Sequence, residues 1–391
     1  MPVWMNMTDQ VGPEKLLHVY DPETGMRGVV VVDTSSTMGS AGGLRLLSDF
    51  TTDDIFRFAR ATSYKFAALD LPIGGAKAGI WAEPEIRGPQ RRELFASFGN
   101  AIKTLLCSGL TLAADMNTDR DDIAVLYETA CTTKKSTGLS TQVVDGEPLE
   151  DHASGYGVVV AAVAACQAVG LNIKDARVAI EGFGKTGGAV ARYISESGAK
   201  VVGISTVNGA AYNKDGLDVM TMLQARKVAG DKAITECRQA KHIKSKDLYG
   251  LKVDVLIPGA RPYVINKKNA KSIKAKVIAC AADLPITDEA EEILFKRSII
   301  SVPDFISNAG GMIFDVVDAV GGSSDDVFRV LRDYHGPLIS QLLTESKQQK
   351  INPRTLAVRK ATEKILAARK QPPTTDLEQT AGELRKRLGI K

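Results

Sequence analysis

Short apolar runs that alternate with helical patterns dominate the chain from residue 177 onward. Apolar side chains follow helical spacing over residues 187–197, and apolar runs occupy residues 178–180, 201–204, 253–257, 276–280 and 299–302. Predominantly apolar runs of this length are typical of parallel strands that are buried on both faces. Their alternation with helices predicts a doubly wound α/β domain over residues 149–318.

The first part of the chain predicts a second α/β layer, over residues 1–148. Strand-like apolar patterns and then helical patterns occur at residues 28–33, 41–47, 52–68, 89–108 and 119–137. Residues 319–391 are rich in polar side chains and contain prolines, which helices tolerate at their starts but not inside. We expect this last segment to be helical and to pack back on the first domain. A cleft between two domains is then the expected ligand site.

Composition indicates a globular protein. The 391 residues are 44% hydrophobic and 25% charged, with a formal net charge of +4. This balance excludes disordered and collagen-like classes, and it makes no case for a nucleic acid or a membrane surface as partner. The five cysteines lack the spacing of a disulfide framework or a metal site. We therefore expect no bound metal. No apolar run is long enough to span a bilayer, so we expect a cytoplasmic protein.

A glycine-rich segment follows the strand predicted at residues 178–180. Gly182-Phe183-Gly184-Lys185-Thr186-Gly187 matches the GxGxxG pattern and opens a helical pattern. In this context the first glycine permits a tight turn, the second lets a pyrophosphate approach the backbone, and the third lets the helix pack on its strand. The segment therefore predicts dinucleotide binding rather than a plain glycine turn.

The second strand of this domain ends at Thr206 rather than at an acidic residue. An acidic side chain there binds the ribose 2′-hydroxyl of NAD and repels the 2′-phosphate of NADP. Thr206 therefore permits NADP, and Lys185 could add positive charge near a phosphate. Alternatively, Thr206 only caps the strand and NAD binds anyway. Both cofactors stay open, with a lean to NADP.

Lys77 stands among glycines, in Gly74-Gly75-Ala76-Lys77. Glycines let the backbone approach a small substrate, and partial desolvation lowers the pKa of a lysine held there, which suits it to polarise a carbonyl or activate water. Lys65 lies in a preceding helical pattern, and Asp115 supplies a carboxylate after an apolar segment. Taken singly, each of the three is more commonly a solvated surface charge.

Taken together, the motifs resemble the glutamate/leucine/phenylalanine/valine dehydrogenase family over nearly the whole chain. In chain order they are Gly42-Gly43-Leu44-Arg45, Tyr64-Lys65, Gly74-Gly75-Ala76-Lys77, Ala114-Asp115, Ser154-Gly155-Tyr156-Gly157, the loop at 182–187, Asp254-Val255-Leu256-Ile257-Pro258 and Ser307-Asn308-Ala309-Gly310-Gly311. The resemblance implies an N-terminal α/β substrate and oligomerisation domain, a Rossmann-type dinucleotide-binding domain and C-terminal helices. It also implies a homo-oligomer, with a hexamer favoured.

The resemblance implies reversible oxidative deamination of an L-amino acid to a 2-oxo acid and ammonia, with hydride transfer to NAD or NADP. It assigns Lys65 to the substrate α-carboxylate, Lys77 to the water that attacks the iminium carbon, and Asp115 to proton transfer with the amine. Further contacts are implied with substrate at Gly74, Gly75 and Asn308, and with cofactor at Ser154, Ala260 and Asn308. A relative that only senses a nucleotide or an amino acid would not need all three charged residues.

Two positions depart from the glutamate-specific members of the family. Those members have a lysine where this chain has Ala41 and a serine where it has Asp315. A lost cation and a gained anion, at positions expected to line one pocket, disfavour a glutamate side chain and leave glutamate as the alternative substrate. If Asp315 points into the pocket, the substrate carries a basic or hydroxyl side chain. If it points to solvent, Ala41 indicates a small or apolar amino acid.

Other departures are undecided by the sequence. Asp283 stands where the family often has asparagine, and Arg261 stands where an apolar residue is usual. The two side chains could pair with each other, or could contact the cofactor or an unusual substrate. His152, close to Ser154, is interpreted as a hinge or interface residue rather than as a catalytic base.

Overall fold

The computed structural model describes residues 7–130, 139–370 and 377–390. The chain divides into two compact units, residues 1–135 with 359–384 and residues 136–358 with 385–391. The sequence placed its boundaries at 148/149 and 318/319 and expected all of 319–391 to join the first domain. In the structure, residues 319–358 group with the second unit. The end of the helix expected over 119–137 lies outside the described residues.

A five-stranded sheet forms the centre of the first unit. Its strands are β1 (Lys15–Tyr20), β2 (Arg27–Val32), β3 (Ser40–Leu47), β4 (Gly74–Trp81) and β5 (Leu110–Ala114), and its helices are α1 (Thr52–Ala68), α2 (Gly88–Ala101), α3 (Lys103–Cys107) and α4 (Arg120–Thr129). The strand order is β1-β2-β4-β3-β5. β2 runs antiparallel to β1 and β4, whereas β3 runs parallel to β4 and β5.

The valines of β2 show why this sheet is buried on both sides. Side chains of a strand alternate between its two faces. Val30 and Val32 join a core that includes α2 and α4, and Val29 and Val31 join a core that includes α1. Two separate cores therefore hold the sheet, and the face turned toward α1 is the one that carries the charged site described below.

The second unit contains the glycine-rich loop. Its strands are β6 (Val143–Val144), β7 (Glu147–Pro148), β8 (Arg177–Glu181), β9 (Lys200–Thr206), β10 (Gly209–Tyr212), β11 (Lys241–Ile243), β12 (Val255–Pro258), β13 (Val277–Ala279) and β14 (Ile300–Val302). Its helices are α5 (Leu149–Ala168), α6 (Lys185–Glu196), α7 (Val219–Ala229), α8 (Ala233–Glu236), α9 (Asp288–Lys296), α10 (Asp304–Ser307), α11 (Gly310–Ala319), α12 (Ser324–Val330) and α13 (Gly336–Gln349). The division between the units falls within the last two helices, α14 (Pro353–Ala368) and α15 (Leu377–Leu388).

A seven-stranded sheet organises the second unit, in the order β11-β10-β9-β8-β12-β13-β14. The strands from β9 to β14 in this order are parallel, and β10 and β11 add antiparallel pairs at one edge. The chain leaves β8 for β9 on one side and later returns to β12 on the other, so the strand order reverses between β8 and β12. Such a reversal opens a crevice at the carboxyl ends of the strands. The doubly wound fold expected from the sequence is confirmed, although β10 and β11 were not expected.

Helix α5 passes close to α6 and α11 because it has glycines, which carry no side chain, at the contact positions. A Cβ atom on Gly155 would lie 2.7 Å from the Val190 nitrogen, and one on Gly157 would lie 2.9 Å from the Gly310 Cα. Both distances are below the van der Waals limit, so any larger residue would push the helices apart. Across the described residues, no helix combines the length and hydrophobicity that a membrane crossing requires.

We predict that Gly155→Ala lowers the free energy of unfolding by about 1–3 kcal/mol, because α5 and α6 must separate to admit the methyl group. Gly382→Ala is the matched control, since Gly382 is also helical but has no atom within 4 Å of its Cβ position. Alanine there should raise stability by about 0.5–1 kcal/mol through helix propensity. Urea unfolding of both variants measures the difference, and an unchanged midpoint for Gly155→Ala would show that the helix contact is adjustable.

Candidate active site

Lys77 projects from the middle of β4 toward the α1 face of the first sheet. Gly75, Lys77 and Gly79 share this face because alternate residues of a strand point the same way. Cβ atoms on the two glycines would collide with Ser63 and with Phe50, so the glycines let α1 and its preceding loop lie against the strand. The Lys77 side chain, only 7% exposed, is thus enclosed between β4 and its covering helix.

Lys77 and Asp115, distant in sequence, form a direct ion pair in the structure. Asp115 follows β5 immediately, and its Oδ2 atom accepts from both the Lys77 Nζ and the Arg45 Nε, the latter at 3.0 Å. Its Oδ1 atom accepts the Met116 N–H at 2.7 Å. Burial opposes ionisation of the Asp115 carboxyl, but the charges of Arg45 and Lys77 outweigh it and hold the pKa of Asp115 far below its ordinary value.

An aromatic ring supports both cations of this cluster. The Arg45 Cζ lies 3.8 Å from the centroid of the Phe58 ring, and the Lys77 Nζ lies 5.7 Å from it. The negative face of an aromatic ring attracts a cation, and the attraction grows when water is excluded. Two cations around one carboxylate leave the cluster with a net charge of about +1, which suits it to an anionic ligand.

Lys65 lies on the same helix as Phe58, further along the same face of that helix. Phe58, Thr62 and Lys65 are spaced four and three residues apart, which places them on one face of α1. The Lys65 side chain is half-buried near the end of the helix. The helix that covers Lys77 therefore also carries the second predicted lysine.

Gly74 and Gly75 are packed against the end of β2. The Gly75 N–H donates to the Thr34 Oγ1 at 2.9 Å, and the Gly75 carbonyl accepts the Asp33 N–H at 2.9 Å. Ser63 of α1 donates to the Asp33 carboxylate at 2.6 Å. Close packing thus explains both glycines without a ligand. Ala41 is the register partner of Gly75 on β3 and is half-buried.

The buried carboxylate of Asp33 is a feature that the sequence analysis missed. Asp33 is 0% exposed, and the Arg60 Nε donates to its two oxygens at 2.9 and 3.0 Å. Burial raises the pKa of the Asp33 carboxyl, and the hydrogen bonds from Arg60 and Ser63 only partly reverse this effect. An aspartate after a run of valines was the available signal, but its partner lies on a helix and was not identifiable from the sequence.

The glycine-rich loop of the second unit lies where the strand order reverses, directly after β8. Gly182 adopts a φ of +90°, which favours glycine, and a Cβ on Gly187 would collide with the Gly182 carbonyl. Gly184 is the N-terminal cap of α6 and has no atom within 4 Å of its Cβ position, so its outer side is open. Phe183 is buried, Thr186 is half-buried, and Lys185 is exposed. These conformations are the ones that a pyrophosphate-binding loop requires.

Glu181 anchors this loop from inside. Its Oε2 atom accepts the N–H groups of Gly259 and Ala260, both at 2.8 Å. Burial raises the pKa of the Glu181 carboxyl, and these two hydrogen bonds and one from Tyr249 only partly offset the increase. Ala260, predicted to contact the cofactor, is exposed beside the loop. An acidic residue at the end of a buried strand was the only sequence signal for this anchor.

Thr206 ends β9 with its hydroxyl already engaged by the protein. The Thr206 Oγ1 donates to the Asp231 carbonyl at 3.1 Å and accepts the Asn208 N–H at 3.2 Å. The side chain is therefore held as a cap of the strand, while the position still lacks a carboxylate. Neither cofactor is excluded by this geometry.

Arg226 of α7 also holds the glycine-rich loop in place, through its backbone carbonyls. The sequence analysis did not identify this residue. Its Nη1 atom donates to the carbonyls of Phe183, at 3.3 Å, and Gly184, and its Nη2 pairs with Glu147. Glu147 belongs to the β6–β7 hairpin. The same hairpin is fixed by His152, which is fully buried between the Tyr193 hydroxyl and the Val144 carbonyl, at 2.9 and 3.0 Å.

The Ser154 motif and the Asn308 motif lie side by side. A Cβ on Gly311 would be 2.7 Å from the Ser154 Oγ. The Asn308 Nδ2 donates to the Asp283 Oδ1 at 2.8 Å. Within the described residues Arg261 is exposed and forms no ion pair, so the pairing of Arg261 with Asp283 does not occur. Asp315, on α11, is half-buried.

We predict that Glu181→Gln removes a pH-dependent loss of folding stability. Because the pKa of Glu181 is raised in the folded state, the folded protein binds this proton more tightly than the unfolded chain, and stability falls as the pH rises from the ordinary value of 4.5 through the raised one. Glutamine can accept the same N–H donors without this titration. The Tm of the variant minus that of the parent should grow with pH across this window and then level off. A difference independent of pH would contradict the prediction.

Known proteins resemble this chain in both of its units. A family model described as Glutamate/Leucine/Phenylalanine/Valine dehydrogenase matches residues 146–372, and the Glu/Leu/Phe/Val dehydrogenase dimerisation domain matches residues 13–132. A glutamate dehydrogenase of Thermotoga maritima is 34% identical over 281 residues, 69% of this chain and 67% of the relative. An NADP-specific glutamate dehydrogenase of Saccharolobus shibatae is 31% identical over 297 residues, 73% of this chain and 69% of the relative.

Solved structures of the same fold include dehydrogenases of different amino acids. The hetero-hexameric glutamate dehydrogenase of Thermus thermophilus has a TM-score of 0.79 and 25% identity, over 91% of this chain and 89% of that chain. The L-tryptophan dehydrogenase of Nostoc punctiforme has a TM-score of 0.66 and 20% identity, over 94% and 98%, and shows the fold alone. The resemblance read from the motifs is confirmed, and the chain belongs to the glutamate/leucine/phenylalanine/valine dehydrogenase family, as an NAD(P)-dependent amino acid dehydrogenase.

Proposed function

We propose that this dehydrogenase oxidatively deaminates an L-amino acid other than glutamate to a 2-oxo acid and ammonia, reversibly. The observation that carries the chemical part is the Asp115 carboxylate oxygen shared by Lys77 and Arg45. With its pKa held this low, the Asp115 carboxyl is ionised, so it can accept a hydrogen bond from a substrate ammonium.

The residues of the proposed site then have separate tasks. A bound nicotinamide would supply the acceptor for the hydride of the substrate Cα, whose loss turns the substrate amine into an iminium. Lys77 orients and activates the water that adds to the iminium carbon, and its charge stabilises the oxygen of the carbinolamine. Asp115 takes a proton from the substrate ammonium before the hydride leaves and releases it to solvent. It then takes the proton of the attacking water and gives it to the departing amine. Lys65 binds the α-carboxylate. The glycine-rich loop at 182–187, with Ser154, Ala260 and Asn308, holds the cofactor.

Two positions argue against a glutamate side chain. Ala41 offers no cation to a second carboxylate, and the half-buried Asp315 would repel one. A carboxylate at 315 that meets the substrate favours a basic or hydroxyl side chain, and otherwise Ala41 favours a small or apolar one. The names of the relatives support glutamate as the second candidate, since the Thermotoga and Saccharolobus proteins are both glutamate dehydrogenases.

We also propose a homo-oligomer, with a hexamer favoured, and NADP as the preferred cofactor. The match to a dimerisation domain over residues 13–132 supports self-association, and the hetero-hexameric Thermus relative supports a total of six subunits. The absence of a carboxylate at Thr206 and the NADP-specific Saccharolobus relative support the cofactor.

We predict that Lys77→Ala lowers kcat by about 10²- to 10⁴-fold, because the variant loses both water activation and charge stabilisation. Binding of NADPH, followed by fluorescence, should persist, since the glycine-rich loop belongs to the other unit. Lys103→Ala removes an exposed lysine of the same unit and serves as the control with normal turnover. Turnover of Lys77→Ala near that of the parent enzyme would eliminate the mechanism.

A substrate screen separates the two candidates. The common L-amino acids, with ornithine and other diamino acids, are assayed by reduced-nucleotide absorbance with NAD and NADP in parallel. We expect glutamate to be a poor substrate, and Ala41→Lys with Asp315→Ser to raise its kcat/KM at least about 10-fold by restoring a cation and removing an anion. Glutamate as the best substrate of the parent enzyme would establish the alternative.

A further inference from the structure

The Asn308 side chain has a fixed orientation that is set by Asp283. The Asn308 Nδ2 lies 2.8 Å from the Asp283 Oδ1. An ionised carboxylate can only accept hydrogen bonds, so the amide nitrogen must face Asp283 and the amide oxygen must face away. An asparagine at position 283, which the family often has, could offer either an acceptor or a donor and would leave this orientation open.

The amide oxygen that results is buried and unsatisfied. The Asn308 Oδ1 has no hydrogen-bond partner among the described residues and almost no contact with solvent. A buried acceptor without a donor is costly, and native proteins retain one mainly where a ligand, an ion or water completes it. Since the free atom is an acceptor, the missing group is a hydrogen-bond donor.

A buried ion pair holds Asp283 and Asn308 in place together. Leu284 has a φ of +50°, in the left-handed region that is unfavourable for a residue with a side chain. Its N–H donates to the Asp304 Oδ2 at 2.8 Å, which keeps the preceding Asp283 in position. Asp304, which is 0% exposed and paired with Arg354, also begins the short helix α10 that leads to Asn308. One carboxylate thus fixes the backbone on both sides of the pair.

Asp283 and Asn308 lie at the carboxyl ends of the strands, on the side of the sheet that carries the glycine-rich loop. Asp283 follows β13 and Asn308 follows β14, both at the carboxyl ends of parallel strands, and the loop follows the carboxyl end of β8. Ligands of doubly wound sheets bind at this edge. The ligand groups that can donate here are a ribose hydroxyl of the nucleotide and the ammonium of the amino acid.

We propose that Asp283 is a positioning residue that presents the Asn308 oxygen to a donor on the bound ligand, a hydroxyl or an ammonium. This inference rests on the proposed function only for the ammonium. A nucleotide hydroxyl would be bound in the same way by an enzyme of any substrate preference.

The test compares Asp283→Leu, Asn308→Asp and the exchange Asp283→Asn with Asn308→Asp. Asp283→Leu frees the amide to rotate and should weaken ligand binding about 10-fold or more, and Asn308→Asp alone places two carboxylates together and should be at least as poor. In the exchange, the asparagine introduced at position 283 can donate to the new carboxylate, whose second oxygen still faces the ligand. The exchange should therefore bind better than Asn308→Asp. A purely packing role for Asp283 predicts no such recovery.

Two readouts identify the donor. The Kd of NADPH without amino acid reports a ribose hydroxyl, and the KM of the amino acid at saturating nucleotide reports the ammonium. The first readout does not depend on catalysis, so it remains valid even if the proposed substrate class is wrong. Thermal unfolding verifies that each variant is folded.

Asp254→Leu is the matched control. Asp254 also accepts a backbone N–H, from Arg177 at 3.1 Å, and pairs with Lys276 at 3.0 Å. It precedes β12, however, and so lies at the amino ends of the parallel strands, away from the glycine-rich loop. Its loss should change neither constant. Unchanged Kd and KM in Asp283→Leu, or an exchange variant no better than Asn308→Asp, would overturn the proposal.

Discussion

A carboxylate removed from water must be compensated by charge or by hydrogen-bond donors, and this requirement organises both units of the protein. Asp115 is compensated by Lys77 and Arg45, Asp33 by Arg60, and Asp304 by Arg354. In each case the partner belongs to another strand or helix. Loss of one partner of such a pair typically costs about 3–5 kcal/mol, so these contacts also decide which elements pack together.

Exposure distinguishes the carboxylate of the proposed catalytic site from the two that act only within the scaffold. The Asp115 side chain is 21% exposed, whereas the Asp33 and Asp304 side chains are 0% exposed. A substrate can reach only the first. The other two act through the backbone, since Asp33 fixes the strand end that holds Gly75 and Asp304 fixes Leu284. The same interaction therefore leaves one carboxylate partly accessible and makes the other two parts of a rigid frame.

Sequence patterns predicted the elements whose register is set locally. Helix α1 begins after Thr51, whose capping box with Asp54 is visible in the sequence, and its predicted bounds agree with the structure. The five parallel strands of the second sheet were predicted within a few residues because burial on both faces makes them largely apolar. Strand β4 was not predicted as a strand, since its glycines and Lys77 hide the alternation of an extended chain.

The partners of the site residues could not be predicted from the sequence, for a physical reason. Arg45, Arg226 and Glu181 act through contacts between residues that are 70, 42 and 78 positions apart, and such distances are closed only by the tertiary fold.

The departures from the family pattern are the positions at which the structure adds most. The sequence flagged Asp283 and Arg261 and allowed several pairings. The structure excludes Arg261 as the partner and gives Asp283 to Asn308, and the one-way hydrogen bonding of a carboxylate then fixes which face of the amide remains free. An asparagine-to-aspartate change is nearly isosteric, yet it converts an adaptable amide pair into one with a single orientation. Specificity at this edge of the sheet can therefore change without any change of shape, because the polarity of one hydrogen bond decides whether a donor or an acceptor is bound.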